Sequence, residues 1–362
     1  MSYLTYIVRN TMNTPHRLTI QELLMSAAGY EEEQPHQRYS KNFYKTRTHF
    51  VTQPREINMS TLYSLIDTPF TKDYIQFRIP KHSGGTRLIE APTDELKSLQ
   101  ANIAHTLLHQ YRILPHNAAY AYTHGRSAYD SLVTHQANNA RWFLKIDVKD
   151  FFPTISKEIL SEQLPKIYPF NQIPPTILNR MVDIATNESG VLPQGSPLSP
   201  MLSNMVLVEF DLRLSNKLRD FNRSTYTYTR YADDILISSP YSFKFEYIVT
   251  AIEKLFTELN LPFTINKSKL RYASKAGRNW NLGLMYNQDQ NITVGTKRKK
   301  ELHSLVNSFV NEEWGIQETQ ELLGKLAYLK NVEPEYHKTL IQKYERKYNV
   351  NIQQMFTDIL SN

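Results

Sequence analysis

The sequence predicts an α+β chain, and three stretches carry that prediction. Ser224-Thr-Tyr-Thr-Tyr-Thr-Arg230 and Ile235-Leu-Ile-Ser-Ser239 are β-branched or aromatic runs on either side of Tyr231-Ala232-Asp233-Asp234. They read as two strands meeting in a tight hairpin with an acidic tip. Trp142-Phe-Leu-Lys-Ile146 is an apolar strand interrupted by Lys145, and Asp147 stands at its C-terminal end. Elsewhere apolar residues recur at helical spacing, as in Leu96, Leu99, Ile103, Leu107, Leu108 and Tyr111.

Composition sets the class. A chain of 362 residues buries a large core and forms one articulated unit of several subdomains. Its apolar content of 41% indicates a soluble globular protein, and no run of about 18 apolar residues offers a transmembrane helix. The start, Met1-Ser-Tyr-Leu-Thr-Tyr-Ile7, lacks the basic-then-apolar order of a signal peptide. With no cysteine there is no disulfide framework and no thiolate zinc site. A cytoplasmic protein without a membrane partner is the expectation. The net charge of +7 suits a polyanionic partner, and gives it modest support. The 23 tyrosines offer faces for stacking on unpaired bases, although most belong to ordinary core or strand positions.

Two neighbouring aspartates are common in surface turns. What gives this pair meaning is Asp147 upstream, at the end of another strand. Three carboxylates brought together this way suit hard divalent ions, and two such ions stabilise the attacking and leaving oxygens of a phosphoryl transfer. A third element is Leu192-Pro-Gln-Gly-Ser-Pro-Leu-Ser-Pro200, a Pro/Gly loop feeding an apolar helix over Met201–Asp211.

Strand-Asp-x-x-x-Phe-Phe, then Pro-Gln-Gly-x-x-x-Ser-Pro, then Tyr-Ala-Asp-Asp resembles the palm of a reverse transcriptase. The prokaryotic kind, found in retrons, group II introns and phage defence, is the most similar, across roughly residues 75–350. The resemblance implies a right-hand polymerase with fingers, a ferredoxin-like palm with a mixed sheet, and a helical thumb. It divides the chain into an N-terminal helical extension (1–73), fingers and palm (74–290) and thumb (291–362). It implies RNA-directed DNA synthesis with two Mg²⁺ ions, Mn²⁺ being the alternative. Asp147, Asp233, the more peripheral Asp234 and the Val148 carbonyl would serve as ligands.

Residues 1–74 are the least legible. A helix is expected over 20–28, a polar loop over 31–38, a basic and aromatic stretch over 39–49, and a short helix over 61–66. Tyr74–Ile79 and Thr86–Glu90 form alternating strands joined by Pro80-Lys-His-Ser-Gly-Gly85, a hairpin. By resemblance this is the fingers hairpin, with Arg87 gripping the triphosphate and Lys81 as a second contact. A guanidinium binds phosphate through paired, charge-assisted bonds. The plain alternative is a surface hairpin with basic residues.

In the segment 117–127 the resemblance puts Arg126 of Gly125-Arg-Ser127 on a backbone phosphate, and a helix follows over 127–137. Phe152 matches the aromatic gate that leaves no room for a 2′-OH, while Phe151 faces the core. Asp150 offers either its amide to the triphosphate or its carboxylate to the turn. Residues 156–188 are helical, interrupted at Pro174-Pro175. Gln194 and Gly195 match the loop that positions the templating base and nucleotide, and glycine permits close backbone approach. Asn204 matches a recurrent polar position, inseparable at this level from local capping. The same resemblance implies that Tyr231 lies beneath the primer end.

A helix over 241–259 leads to Phe263-Thr-Ile-Asn266-Lys-Ser-Lys269, similar to the family's Asn-x-x-Lys segment. Lys269, with Lys267 as the alternative, would neutralise or protonate departing pyrophosphate; an exposed basic turn is the plain reading. Trp280–Tyr286 resembles the primer-grip hairpin centred on Leu282-Gly283. Lys297-Arg298-Lys-Lys300 opens a helix and suits a nucleic-acid groove, although such runs usually mark a solvated face. That helix and two more, over 318–330 and 334–347, make the thumb.

The chain ends soon after, so no RNase H, maturase or endonuclease domain is expected. Against the retron pattern, Asn-Ala-x-x-His is replaced by His135-Gln-Ala-Asn-Asn-Ala-Arg141, and Val-Thr-Gly by Asn281-Leu-Gly-Leu284. These departures favour a defence-associated enzyme working on its own structured non-coding RNA, with dNTPs as substrate and DNA as product. A protein partner or homo-oligomer is left open. The alternatives are a protein-primed or template-independent DNA polymerase of the abortive-infection type, and a catalytically silent RNA-binding scaffold.

Overall fold

The computed structural model describes residues 59–80, 84–111, 113–222, 225–274 and 280–361. The helix expected at 20–28, the stretch 39–49 and Lys81 lie outside the described residues. The chain divides into two compact units, one running Ile57–Ile292 and the other with its described part beginning at Thr293.

The first unit opens with helix α1 (Ser60–Ile66) and the hairpin β1 (Tyr74–Pro80) and β2 (Thr86–Pro92). Helices α2 (Asp94–His105) and α3 (Ala128–Ala137) precede β3 (Trp142–Asp147). Then come the short α4 (Phe151–Thr154), α5 (Lys157–Gln163), α6 (Pro175–Ala185), α7 (Ser199–Val206) and α8 (Val208–Asn222). The hairpin β4 (Thr227–Tyr231) and β5 (Asp234–Ser239), helix α9 (Phe245–Glu258) and strand β6 (Arg271–Ser274) complete the central sheet and its helices. Short strands β7 (Met285–Tyr286) and β8 (Ile292–Thr293) carry the chain into the second unit.

The central sheet has the order β4-β5-β3-β6, and every neighbouring pair is antiparallel. Strand β3 crosses through helices to β4, turns back as β5, and crosses through α9 to β6. This is the ferredoxin-like order. The expected mixed sheet is corrected: each crossover returns the chain to a non-adjacent position, so parallel strands never become neighbours. Among the described residues the one parallel pairing is the isolated bridge between Ala119 and Arg230. Phe143, Leu144, Ile146 and Ile237 are fully buried, which is why β3 and β5 read as apolar runs rather than as alternating strands.

Two helical expectations change in detail. The helix expected over 201–211 is two helices, because Leu207 leaves the helical region (φ −95°, ψ 3°). The ladder restarts with an Asp211 N–H donating to the Leu207 carbonyl at 2.8 Å. Both halves bury apolar side chains, Val206 and Phe210 among them, so the break leaves no mark in the periodicity. The second unit holds four described helices rather than three: α10 (Gly295–Asn311), α11 (Ile316–Val332), α12 (Pro334–Tyr348) and α13 (Ile352–Ser361). Asn349, at φ +52°, turns the chain after α12, and Phe356 of α13 stacks on Phe309 at 4.4 Å.

His135, on α3, is fully buried under the sheet. Its Nε2 lies 2.9 Å from Thr229 Oγ1 and its Nδ1 bonds Ser238 Oγ, so strands β4 and β5 are both fastened to it. Burial pushes this imidazole down to about 3. An unfolded histidine titrates near 6.5, so between those values the unfolded chain binds the extra proton and stability falls as pH falls. Urea unfolding at pH 7 and pH 5 tests this. The natural chain is expected to lose about 1–2 kcal/mol more than His135→Asn over that interval; equal losses would contradict the assignment.

Candidate active site

The hairpin joining β4 to β5 has two residues in its loop, because Tyr231 pairs with Asp234. Ala232 takes a positive φ of +56°, which the mirror-image turns of tight hairpins require. Asp233 thus sits at the tip and Asp234 opens β5. On the neighbouring strand, Asp147 lies directly across from Asp234. The Val148 N–H donates to the Asp233 carbonyl at 3.0 Å, closing the end of the sheet. All three sequence-predicted acids therefore meet at one edge.

That meeting costs electrostatic free energy, and its effect on the acids is visible. Burial, then the charges of Asp234 and Asp147, push the Asp233 carboxyl up to about 6, with Arg87 opposing. Burial also raises Asp234, while Lys145 pulls the other way. Lys145 Nζ lies 2.7 Å from Asp234 Oδ2, and Lys269 Nζ lies 2.9 Å from Asp147 Oδ1. The Asn266 amide donates to Asp147 Oδ2 at 3.2 Å, and its backbone N–H donates to the Asp147 carbonyl at 2.8 Å. Bonding to Asp147 raises Lys269. Of the two candidate lysines, Lys269 reaches the acids, whereas Lys267 lies 3.4 Å from Glu253.

Among the described residues no three His, Cys, Asp or Glu side chains are gathered into a ready ligand set. The donor chemistry nevertheless fits a hard divalent cation. Hard carboxylate oxygens share one strand edge, one of these acids is held towards its neutral form by burial and then by like charge, and two lysine ammonium groups hold the places of counter-ions.

The surrounding residues are placed as follows. Phe152 is half-buried, between Phe151 (ring centroids 5.4 Å apart) and Tyr122 (6.3 Å). Phe151 is buried on Phe263, at 5.5 Å. Asp150 has φ +43°, and its carboxylate makes no capping bond; its carbonyl instead accepts from Thr154. The Gln194 carbonyl accepts from the Glu90 N–H at 2.9 Å, joining this loop to the fingers hairpin, and the Gln194 Oε1 atom is buried with no hydrogen-bond partner. Gly195 has φ +134°, where a side chain would be strained. Arg126 directs its guanidinium to the carbonyls of Asn117 (2.7 Å) and Ala119 (3.0 Å) and over the Tyr120 ring. Leu282 and Gly283 form a two-residue turn, at φ +44° and +90°, and Leu282 is exposed. In the second unit Lys297 is exposed, while Arg298 lies over Tyr328.

Sequence reasoning passed over the support behind the acids. Arg230 is buried, and its guanidinium holds Asp211 through both carboxylate oxygens, the closest contact being 2.7 Å. It also donates to Asn204 Oδ1 at 3.0 Å and to the Ala232 carbonyl at 3.2 Å, bracing the turn that carries Asp233. Tyr228 donates to the same Asp211 at 2.6 Å. A second brace is Gln100, which bonds Ile184, Tyr74 and the Ser196 hydroxyl of the Gln194-Gly195 loop. The available signal was a polar residue at a core-facing helical position: Asp211 beside Phe210 and Leu214, and Gln100 between Leu99 and Ile103.

The family description "Reverse transcriptase (RNA-dependent DNA polymerase)" matches residues 79–309, well over half the chain. The chain belongs to the reverse transcriptase family. Its relatives include the retron Ec73 reverse transcriptase of Escherichia coli, 29% identical over 304 residues, covering 78% of this chain and 95% of the relative. The retron Ec83 reverse transcriptase of the same organism is also 29% identical, covering 76% and 86%. Among solved structures, telomerase from Candida albicans with a telomeric RNA fragment aligns at TM-score 0.46 and 14% identity, over 80% of this chain and 56% of that one. Apo telomerase from Candida tropicalis aligns at TM-score 0.48 and 11% identity, over 81% and 62%. The protein is thus an RNA-directed DNA polymerase of retron kinship, despite the departures at His135–Arg141 and Asn281–Leu284, in a family that uses divalent metal ions. No described helix is long and apolar enough to cross a membrane.

Removing one partner of a buried ion pair strands the other charge. Arg230→Met is therefore expected to lower unfolding free energy by about 3–5 kcal/mol in urea melts. Arg230→Met with Asp211→Leu should recover most of that loss, and a double variant no better than the single would refute the pairing.

Proposed function

We propose that this reverse transcriptase makes DNA on a structured non-coding RNA, in a retron-like or phage-defence setting inside the cell. The observation that carries the proposal is the meeting of Asp147, Asp233 and Asp234 at one sheet edge. The kinship of the retron relatives supports the RNA partner. Asp147 and Asp233 would hold two Mg²⁺ ions, or Mn²⁺, with the Val148 carbonyl, and Asp234 would assist. When bound, the ions supply Lewis-acid stabilisation of the attacking and leaving oxygens.

The chain's own residues do the rest by positioning. The primer 3′-hydroxyl lies over Tyr231 and against the Leu282-Gly283 turn, facing the α-phosphate of the incoming dNTP. The new bond joins the 3′-oxygen to that phosphorus, and pyrophosphate departs. Arg87 and Lys81 hold the triphosphate, and Gln194 and Gly195 support the nucleotide against its templating base. Lys269, already beside the acids, neutralises or protonates the leaving pyrophosphate. Arg126 orders the loop along the nucleic-acid path, and Lys297 and Arg298 offer charge to the duplex backbone.

The protein copurified with its RNA, given Mg²⁺ and labelled dNTPs, should yield DNA complementary to that RNA. Asp233→Asn should reduce the yield by roughly 10³-fold or more. A homopolymeric or uncopied product would instead mark template-free synthesis, and no product at all would leave an RNA-binding scaffold. Phe152→Ala should raise ribonucleotide incorporation relative to deoxynucleotide by about 10–100-fold, the range for relieving a clash in a shaped pocket. An unchanged ratio in steady-state kinetics would remove Phe152 from sugar selection.

A further inference from the structure

Tyr122 holds a backbone conformation that its side chain disfavours. Its φ of +57° is a true outlier for a bulky residue. Core packing does not account for this, because the residue is 40% exposed. Its neighbours over-determine the strained turn. Asn204 donates to the Ala121 carbonyl at 2.8 Å, and Thr123 Oγ1 donates to it at 3.2 Å. Arg126 and Thr123 both donate to the Ala119 carbonyl, and Ala119 is bridged to Arg230. A conformation held this firmly by so many bonds places its side chain deliberately.

The side chain is placed on Phe152. Their rings stand 6.3 Å apart at 55°, a tilted contact. Phe152 also meets Phe151 edge-on at 5.4 Å. That ring is anchored in turn by Phe263 (5.5 Å), Phe256 (5.6 Å) and Phe210 (4.8 Å), a file running into the core. Phe152 is therefore in ring contact both with this core file and with Tyr122. Asn204 serves both neighbourhoods, since its amide oxygen accepts from Arg230, which braces the catalytic turn at Ala232.

We infer that Tyr122 is a positioning residue for sugar selection: its ring buttresses Phe152 and stops it from swinging aside to admit a 2′-hydroxyl. This rests on the reading of Phe152 as the gate. A steric gate discriminates only if its ring cannot yield, because a side-chain torsion yields cheaply when nothing blocks it.

The test uses the full chain on poly(rC) primed with oligo(dG), comparing kcat/KM for dGTP and GTP. Tyr122→Gly suits it, because glycine adopts positive φ without strain and the variant removes the ring while sparing the turn. The dGTP:GTP ratio is expected to fall about tenfold in Tyr122→Gly and to stay at its natural value in Tyr122→Phe, which keeps the ring. If Tyr122→Gly keeps the ratio while Phe152→Ala lowers it, the buttress is refuted and the gate stands. If both keep it, the gate reading fails and the buttress with it. Equal loss of dGTP and GTP turnover in Tyr122→Gly would show a merely structural role and overturn the inference.

Discussion

Like charge at one end of an antiparallel sheet is the constraint on which this structure turns. The register that sets Asp147 across from Asp234, with Asp233 in the turn beside them, forces three carboxylates together where water is scarce. Left alone, such a cluster would protonate or splay apart. The fold opposes both outcomes. Lys145 and Lys269 supply positive charge at contact distance, and Arg87 adds its field from the hairpin above. A hard divalent cation is one answer to the remaining repulsion, and the family to which the chain belongs uses such ions.

The turn itself needs a separate support. Ala232 sits at positive φ, a conformation an alanine does not choose, and its carbonyl is held by the buried Arg230. Arg230 is in turn neutralised by Asp211 and tied by its own backbone to Ala118 and Tyr120. A buried ion pair adds little net stability compared with apolar packing. Its value here is geometric: one planar guanidinium addresses a carboxylate, an amide and a carbonyl from a single place. Asn204 extends the same arrangement to the loop carrying Tyr122, so the acidic edge of the sheet and that loop share one support.

How much of this was legible beforehand follows from the range of each interaction. Asp147, Asp233, Asp234 and the strands beneath them were readable because strand runs and a tight turn are local, with spacing that survives in sequence. The ferredoxin-like order was also within reach, but its fully antiparallel pairing was not, since adjacency depends on where each crossover lands. Arg230 and Asp211 lie 19 residues apart, and Gln100 bonds a serine 96 residues away. Such pairs leave only a polar letter in an apolar face. The break at Leu207 and the helix Ile352–Ser361 escaped for a different reason: the apolar pattern continues through the first, and the second is short.

Strain locates function here more sharply than composition does. Ala232, Tyr122, Asp150 and Leu282 all take positive φ without being glycine, and all lie in segments assigned to acids, sugar, triphosphate or primer. The surface loops contain such residues too, at Asn139, Asn260, Gln290 and Asn349, but those are asparagine or glutamine. Asparagine visits that region at small cost because its side chain can bond locally. An alanine, a tyrosine and a leucine have no such relief. Each must be held there by its surroundings, and holding a side chain against its own preference is justified only where its position matters more than its stability. On that reasoning, the strain at Tyr122 is of one kind with that at Ala232, in the turn that carries Asp233.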